Sequence, residues 1–186
     1  MWQALEIETW IAGRRSEIDR VRGPVSEIIA RVRSEGDAAL IDLTKRFDGI
    51  DLDEIAVSDE EREAAYDRVD AQLIESLAEA EARISRFHEL QRGRDLWLQE
   101  MEPGITLGVR TTPLSRIGAY VPGGRAAYPS TALMCTVPAK VAGVREICCC
   151  TPPPTNPITL VALDIAGVDE IYRVGGAQAI AAMALG

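Results

Sequence analysis

Two glycine-rich segments in the last third of the chain carry the residue types and spacing most suited to chemistry. The first is RIGAYVPGG at residues 116–124, and the second is VGGAQAIAA at residues 174–182. Each follows a short apolar run and precedes a stretch with helical character. At such strand-to-helix turns an α/β sheet presents free backbone N–H groups, which bind the phosphates of a nucleotide. Both segments are therefore candidate nucleotide-binding turns.

Three side chains at these turns are candidate ligand contacts. Tyr120 ends the first apolar run, so its ring is placed to lie against a flat cofactor group, and Arg125 just beyond the turn could pair with a phosphate. Gln178 falls in the first turn of the following helix, where its amide could reach a ribose or phosphate oxygen. Neither segment is a GxGxxG fingerprint. An ordinary tight turn, with Tyr120 in the core and Gln178 on the surface or next to the helix cap, explains the spacing as well.

The other reactive residue types give weaker patterns. The single histidine, His88, has no metal-ligating residues at a spacing that would close a site, and we expect it to face solvent. The cysteines at 148–150 are consecutive in an apolar run, alternate faces on a strand and cannot converge on one metal. We expect them to be buried free thiols, because there is no C-x-x-C spacing. The chain also has no GxSxG elbow and no P-loop.

Composition narrows the classes of partner. The formal charge of −9 is concentrated in the first hundred residues, which argues against nucleic acid as a ligand because that needs clustered lysine and arginine. The second half is nearly neutral and can approach an anionic cofactor. No run of eighteen apolar residues exists, so a membrane-spanning helix is excluded. The N-terminal residues do not resemble a signal peptide, and we expect a cytoplasmic protein.

The elements that must position the turns follow from local signals. The first hundred residues are poor in glycine and proline and predict helices. We place one from Pro24 to Gly36 and one behind a capping box at Ser58 to Glu61. Between them lies a helix capped by Asp37 and stopped by Gly49, and its predicted inward residues are Ala38, Leu40, Ile41, Leu43 and Phe47. A long helix over 70–92 follows, with an apolar face that runs to Phe87. Two alternating runs around Glu102-Pro103-Gly104 then predict a β-hairpin.

From residue 116 the pattern becomes strand–helix. Three strands alternate with helices, and crossovers of this length imply parallel strands. The predicted class is α/β: a helical N-terminal region with a small β-hairpin, then an incomplete Rossmann-like parallel sheet. We divide the chain into an arm at 1–23, a mostly helical part at 24–115 and three β–α units at 116–186.

Six motifs, in their order and mutual spacing, strongly resemble histidinol dehydrogenase. They are GDAAL (36–40), KRFDG (45–49), RIGAYVPGG (116–124), PAKVAG (138–143), TPPP (151–154) and VGGAQAIAA (174–182). The resemblance implies the last step of histidine biosynthesis, in which L-histidinol is oxidised twice with NAD to L-histidine. It also implies a zinc-dependent homodimer, with Tyr120 and Gln178 as NAD contacts.

The resemblance further implies that this chain is the N-terminal portion of such an enzyme. The family's zinc ligands and catalytic Glu–His pair fall beyond Gly186, so we expect no metal ligand and no catalytic residue here, and an inactive chain when it is alone. Two alternatives stay open. One is a non-catalytic module that binds NAD or complements a separate C-terminal half, and the other is a related polyol dehydrogenase.

Overall fold

The computed structural model describes the backbone of residues 7–123 and 126–186, and side chains from residue 18 onward within those ranges. Four helices come first, then a hairpin, then a parallel sheet with intervening helices. The elements are α1 (Ile7–Glu35), α2 (Asp37–Asp48), α3 (Asp59–Tyr66), α4 (Ala71–Glu89), β1 (Leu96–Glu102), β2 (Ile105–Arg110), β3 (Arg116–Tyr120), α5 (Pro129–Val141), β4 (Glu146–Cys150), α6 (Pro157–Ile165), β5 (Glu170–Tyr172) and α7 (Gly176–Leu185). The predicted α/β class is confirmed.

The first helix begins earlier than predicted. Pro24 lies inside α1 and not in its first turn. An internal proline removes one backbone hydrogen bond at a cost of about 3 kcal/mol. The residues of α1 that pack into the core, Ile28 and Val32, follow Pro24, whereas residues 18–24 are exposed. The helix ends as expected at Gly36, whose N–H donates to the Val32 carbonyl. The segments 1–23, 24–115 and 116–186 stay predictions.

The start and the inward face of α2 also differ from the prediction. Asp37 is the first helical residue and not the cap, because the carbonyl of Gly36 accepts the first helical hydrogen bonds, from Ala39 and Leu40. The predicted inward face is partly wrong, since Phe47 is 54% exposed. Packing against α1 selects a different stripe, and the buried side chains are Ala39, Leu40, Leu43 and Thr44.

Local signals further along the chain are confirmed. The Ser58 hydroxyl accepts from the Glu61 N–H, and the Glu61 carboxylate accepts from the Ser58 N–H, which is the predicted capping box of α3. Asp70 caps α4 through hydrogen bonds from the first-turn N–H groups. Strands β1 and β2 pair as an antiparallel hairpin around Pro103-Gly104.

The parallel sheet has the strand order β3-β4-β5 and separates two apolar cores. One core lies between the sheet and α3–α6 and contains Ala119, Ile147 and Cys149. The other lies between the sheet and α1, α2 and α7 and contains Cys150 and Val174. The predicted alternation of the cysteines across the two faces of β4 is confirmed, and all three are buried free thiols.

Candidate functional site

The site is built at one edge of the sheet, where the three parallel strands end. Two backbone hydrogen bonds extend the pairing past the strands: Val121 N–H donates to the Cys150 carbonyl, and Thr151 N–H donates to the Tyr172 carbonyl, both at 2.9 Å. The loops that follow β3, β4 and β5 therefore start side by side. Ligands of open α/β sheets bind outside this carboxyl edge.

Tyr120 is the last residue of β3 and is half-buried. Its hydroxyl accepts a hydrogen bond from the N–H of Gly176 at 3.3 Å. Gly176 opens α7, fifty-six positions further along the chain, so this contact joins the two glycine-rich segments that sequence analysis had identified separately. The interpretation of Tyr120 as a side chain buried in the core is only partly met, because its hydroxyl lies at the carboxyl edge of the sheet and bonds to Gly176.

Gln178 lies in the first turn of α7 and is 2% exposed, so the alternative of a surface glutamine is wrong. Its side chain folds back over its own turn: a Cβ built on Gly176 would lie 2.8 Å from Gln178 Oε1. Gly176 has a φ of +64°, a conformation that residues with a Cβ rarely adopt. The missing Cβ leaves room for the amide beside the first turn of the helix, and the positive φ makes glycine the residue suited to this position.

Two of the candidate residues, Gly124 and Arg125, lie outside the described residues. Gly123, which precedes them, is half-buried against the loop that follows β4. That loop, Thr151–Pro154, is the feature that sequence reasoning missed as part of the site. The signal was available, because TPPP stands directly after the buried strand β4.

His88 does not join the site. It lies on α4, where its Nδ1 is 2.7 Å from Gln91 Oε1 and its ring meets Phe87 edge-on. It is half-buried, so the expectation of a solvent-facing side chain is only partly met. The turn at the end of α4 brings the Gln91 amide within hydrogen-bond distance of the ring, which the helical pattern alone did not indicate.

The thiols of β4 are held in the neutral form. Burial raises the pKa of Cys150 to about 12, and burial also raises the pKa of Cys149. A thiol is a poor nucleophile and a poor metal ligand until it loses its proton. Within residues 18–123 and 126–186, no group of three or more His, Cys, Asp and Glu side chains is arranged to hold a metal ion.

A cleft lies on the face of the sheet that is covered by α1, α2 and α7. Neither Tyr120 nor Gln178 lines it. It has a volume of about 1020 Å³ and is bounded by α1, α2, α7 and the sheet. Arg116 stands at its edge, at the amino end of the sheet, and forms ion pairs with Glu146 at 3.1 Å and Glu170 at 3.0 Å. Other charged side chains, among them Arg33, Asp53 and Glu54, also line the cleft. Because neither of the predicted cofactor contacts reaches it, we take the carboxyl edge as the candidate site.

The chain was compared with known proteins. A family model described as histidinol dehydrogenase matches residues 12–186. The histidinol dehydrogenase of Methanothermobacter thermautotrophicus is 48% identical over 92% of this chain and 41% of its own length, and that of Archaeoglobus fulgidus is 50% identical over 93% and 44%. The crystal structure of histidinol dehydrogenase from Elizabethkingia anophelis superposes with a TM-score of 0.86 at 36% identity, over 89% of this chain and 39% of that one.

The match covers nearly all of this chain but only part of each relative. The chain spans about two fifths of the length of the relatives it matches.

None of the helices in the described part of the chain is long and apolar enough to cross a membrane.

Proposed function

The chain belongs to the histidinol dehydrogenase family, and from this premise we propose that it supplies part of the NAD site for the oxidation of L-histidinol to L-histidine. Tyr120 and Gln178 are its cofactor contacts. The observation that carries the proposal is the hydrogen bond from the Gly176 N–H to the Tyr120 hydroxyl, because it joins the two cofactor turns at the carboxyl edge of the sheet.

The residues at this edge fit a dinucleotide. The Tyr120 ring supplies a flat surface, the Gln178 amide supplies a donor and an acceptor, and the first turn of α7 supplies N–H groups that favour an anion. Absence of a Cβ at Gly176 keeps space open above Gln178. When bound, NAD would accept a hydride from the alcohol carbon of the substrate. The part of this chain is to bind and orient the cofactor.

Zinc has no such fit in the described part of the chain, because no set of metal-ligating side chains converges there. We therefore assign no step through zinc to these residues, and we expect the proton transfers and the metal ligands to come from the remainder of the family's architecture. The homodimer, implied by the resemblance, and the cytoplasmic location, inferred from the N-terminal residues, stay predictions.

Isothermal titration of the 186-residue chain with NAD tests the cofactor site. We expect binding, and we expect Gln178→Ala to weaken it by about tenfold, since a buried amide lost from a ligand contact costs roughly 1–2 kcal/mol. Gln99→Ala, which removes an exposed glutamine from β1, is the matched control and should leave affinity unchanged. Equal affinity of the two variants would contradict the assignment of Gln178.

Activity is tested separately, by NADH formation from L-histidinol. We expect none with the chain alone and a gain when it is mixed with the separately produced C-terminal portion of the Methanothermobacter thermautotrophicus enzyme. Appreciable oxidation by the chain alone would overturn the division of roles. Activity of the mixture on another polyol, but not on L-histidinol, would favour the polyol dehydrogenase instead.

A further inference from the structure

We propose that Pro152 is a positioning residue that sets the distance between the two NAD-contacting turns, an inference that rests on the proposed function. Pro152 is half-buried and lies in the loop after β4, the central strand. Gly123, after β3, and Gly175, after β5, both approach its ring, and the strands that lead to them lie on opposite sides of β4. Pro152 needs no contact with the cofactor to act in this way.

The contacts with the two glycines are close enough to exclude any side chain there. A Cβ built on Gly123 would lie 2.7 Å from Pro152 Cγ, and one built on Gly175 would lie 2.6 Å from Pro152 Cβ. Separations under 3 Å are well inside van der Waals contact. The proline therefore requires a glycine at both positions.

The proline itself is suited to a fixed spacing. Its ring locks φ and has no rotatable side chain, so its thickness is constant. The loop that carries it is anchored on both sides by the backbone hydrogen bonds from Val121 to Cys150 and from Thr151 to Tyr172. With the strands held in register, the ring fixes how closely the β3 turn and the β5 turn approach.

The spacing has a direct consequence for the site. The Gly176 N–H and the Tyr120 hydroxyl are 3.3 Å apart, at the long end of hydrogen-bond distances. A shift of a few tenths of an ångström between the turns would break this bond and move Gln178 relative to Tyr120. We therefore expect a smaller residue at position 152 to displace Tyr120 and Gln178 relative to each other, although residue 152 itself makes no contact with the cofactor.

The test compares Pro152→Ala with Pro113→Ala. Pro113 is an exposed proline that also faces a glycine, Gly143. A Cβ built on Gly143 would lie 3.6 Å from Pro113 Cγ, which is an ordinary van der Waals contact. Two readouts are measured on the 186-residue chain: NAD affinity by titration calorimetry, and the position of the Gly176 amide in ¹H–¹⁵N spectra without NAD. Tyr120→Phe gives the amide position expected when the hydrogen bond is lost.

We expect Pro152→Ala to weaken NAD binding by about tenfold and to move the Gly176 amide toward its position in Tyr120→Phe. Pro113→Ala should change neither. A Pro152→Ala chain with wild-type affinity and a wild-type Gly176 amide would overturn the inference. If wild-type chain binds no NAD, the cofactor proposal fails, and the Gly176 amide alone still decides whether Pro152 spaces the turns.

A double-mutant comparison tests the same contacts through thermal stability, independently of NAD binding. Gly123→Ala meets Pro152 Cγ, which an alanine at 152 removes, whereas Gly175→Ala meets Pro152 Cβ, which that alanine retains. Pro152→Ala should therefore partly restore the melting temperature lost in Gly123→Ala and should not restore the loss in Gly175→Ala. Equal coupling of position 152 to the two glycines would contradict the geometry.

Discussion

The two faces of the parallel sheet are packed to different degrees. On the face covered by α5 and α6, Ile147, Val161 and Leu163 are completely buried. On the face covered by α1, α2 and α7, the core is smaller and adjoins a cleft of about 1020 Å³. Tyr120 and Val174, which lie at the candidate cofactor edge, belong to the core on this second face. The difference indicates that the first face holds the fold together, while the second face combines partial packing with the candidate cofactor edge.

The largest expected effect comes from equal truncations on the two faces. Leu163→Ala removes a fully buried side chain from α6, and we expect a loss of about 4 kcal/mol in the free energy of unfolding. Leu40→Ala on α2 should cost only about 2 kcal/mol, because Leu40 borders the cleft and its site can relax or admit water. Urea unfolding followed by circular dichroism measures both. Equal losses would contradict the distinction between the faces.

A second comparison uses neighbouring residues of β3. Ala119 faces the first core, while Gly118 faces Met183 of α7, and a Cβ on Gly118 would lie 2.5 Å from the Met183 sulfur. We expect Gly118→Ala to cost about 1–2 kcal/mol by overpacking. Since methionine is flexible, the cost is modest and should be relieved in the double variant with Met183→Ala. Melting curves of both single variants and the double variant measure this. A purely additive result would show that α7 does not rest on Gly118.

The third comparison concerns two tyrosines that donate to carboxylates. Tyr66 donates to Asp164 at 2.7 Å on the first face, and Tyr172 donates to Glu170 at 2.9 Å on the second. Asp164 is also bound by Arg62, which is only 15% exposed, whereas the arginine bound to Glu170 is 50% exposed.

Because solvent weakens the more exposed network, Tyr66→Phe should cost about 1 kcal/mol and Tyr172→Phe about 0.5 kcal/mol or less. Urea unfolding at neutral pH measures both. A larger loss for Tyr172→Phe would reverse the order of the two faces.

Much of the fold could be predicted because its signals are local. The capping box at Ser58 and the hairpin at Pro103-Gly104 depend on residues a few positions apart, and both are found where the sequence indicated them. The inner side of α2 was mispredicted because tertiary packing, and not helical spacing, leaves Phe47 exposed. Tyr120 and Gln178 were selected individually, but their contact through Gly176 and the role of Pro152 depend on the register of three parallel strands. Spacing along the chain does not encode that register.

The two faces should behave alike in one respect, their response to alkali. Burial and the hydrogen bond to Asp164 raise the pKa of Tyr66 to about 12, and burial and the hydrogen bond to Glu170 raise the pKa of Tyr172 to about 12. Burial also raises the pKa of Cys150 to about 12. These folded-state pKa values lie above the unfolded values of about 10 for tyrosine and about 8.5 for cysteine, so folding favours the protonated forms.

The stabilisation is therefore complete below the unfolded pKa values and is lost as pH rises through about 9 towards 12. Under reducing conditions, we expect the free energy of unfolding to fall between pH 8 and pH 10.5, and Tyr66→Phe and Tyr172→Phe to reduce that fall by similar amounts. Urea unfolding at the two pH values measures it. If only one of the two variants reduces the fall in the free energy of unfolding, the faces differ in protonation as well as in packing. Equal reductions would confine the difference to packing.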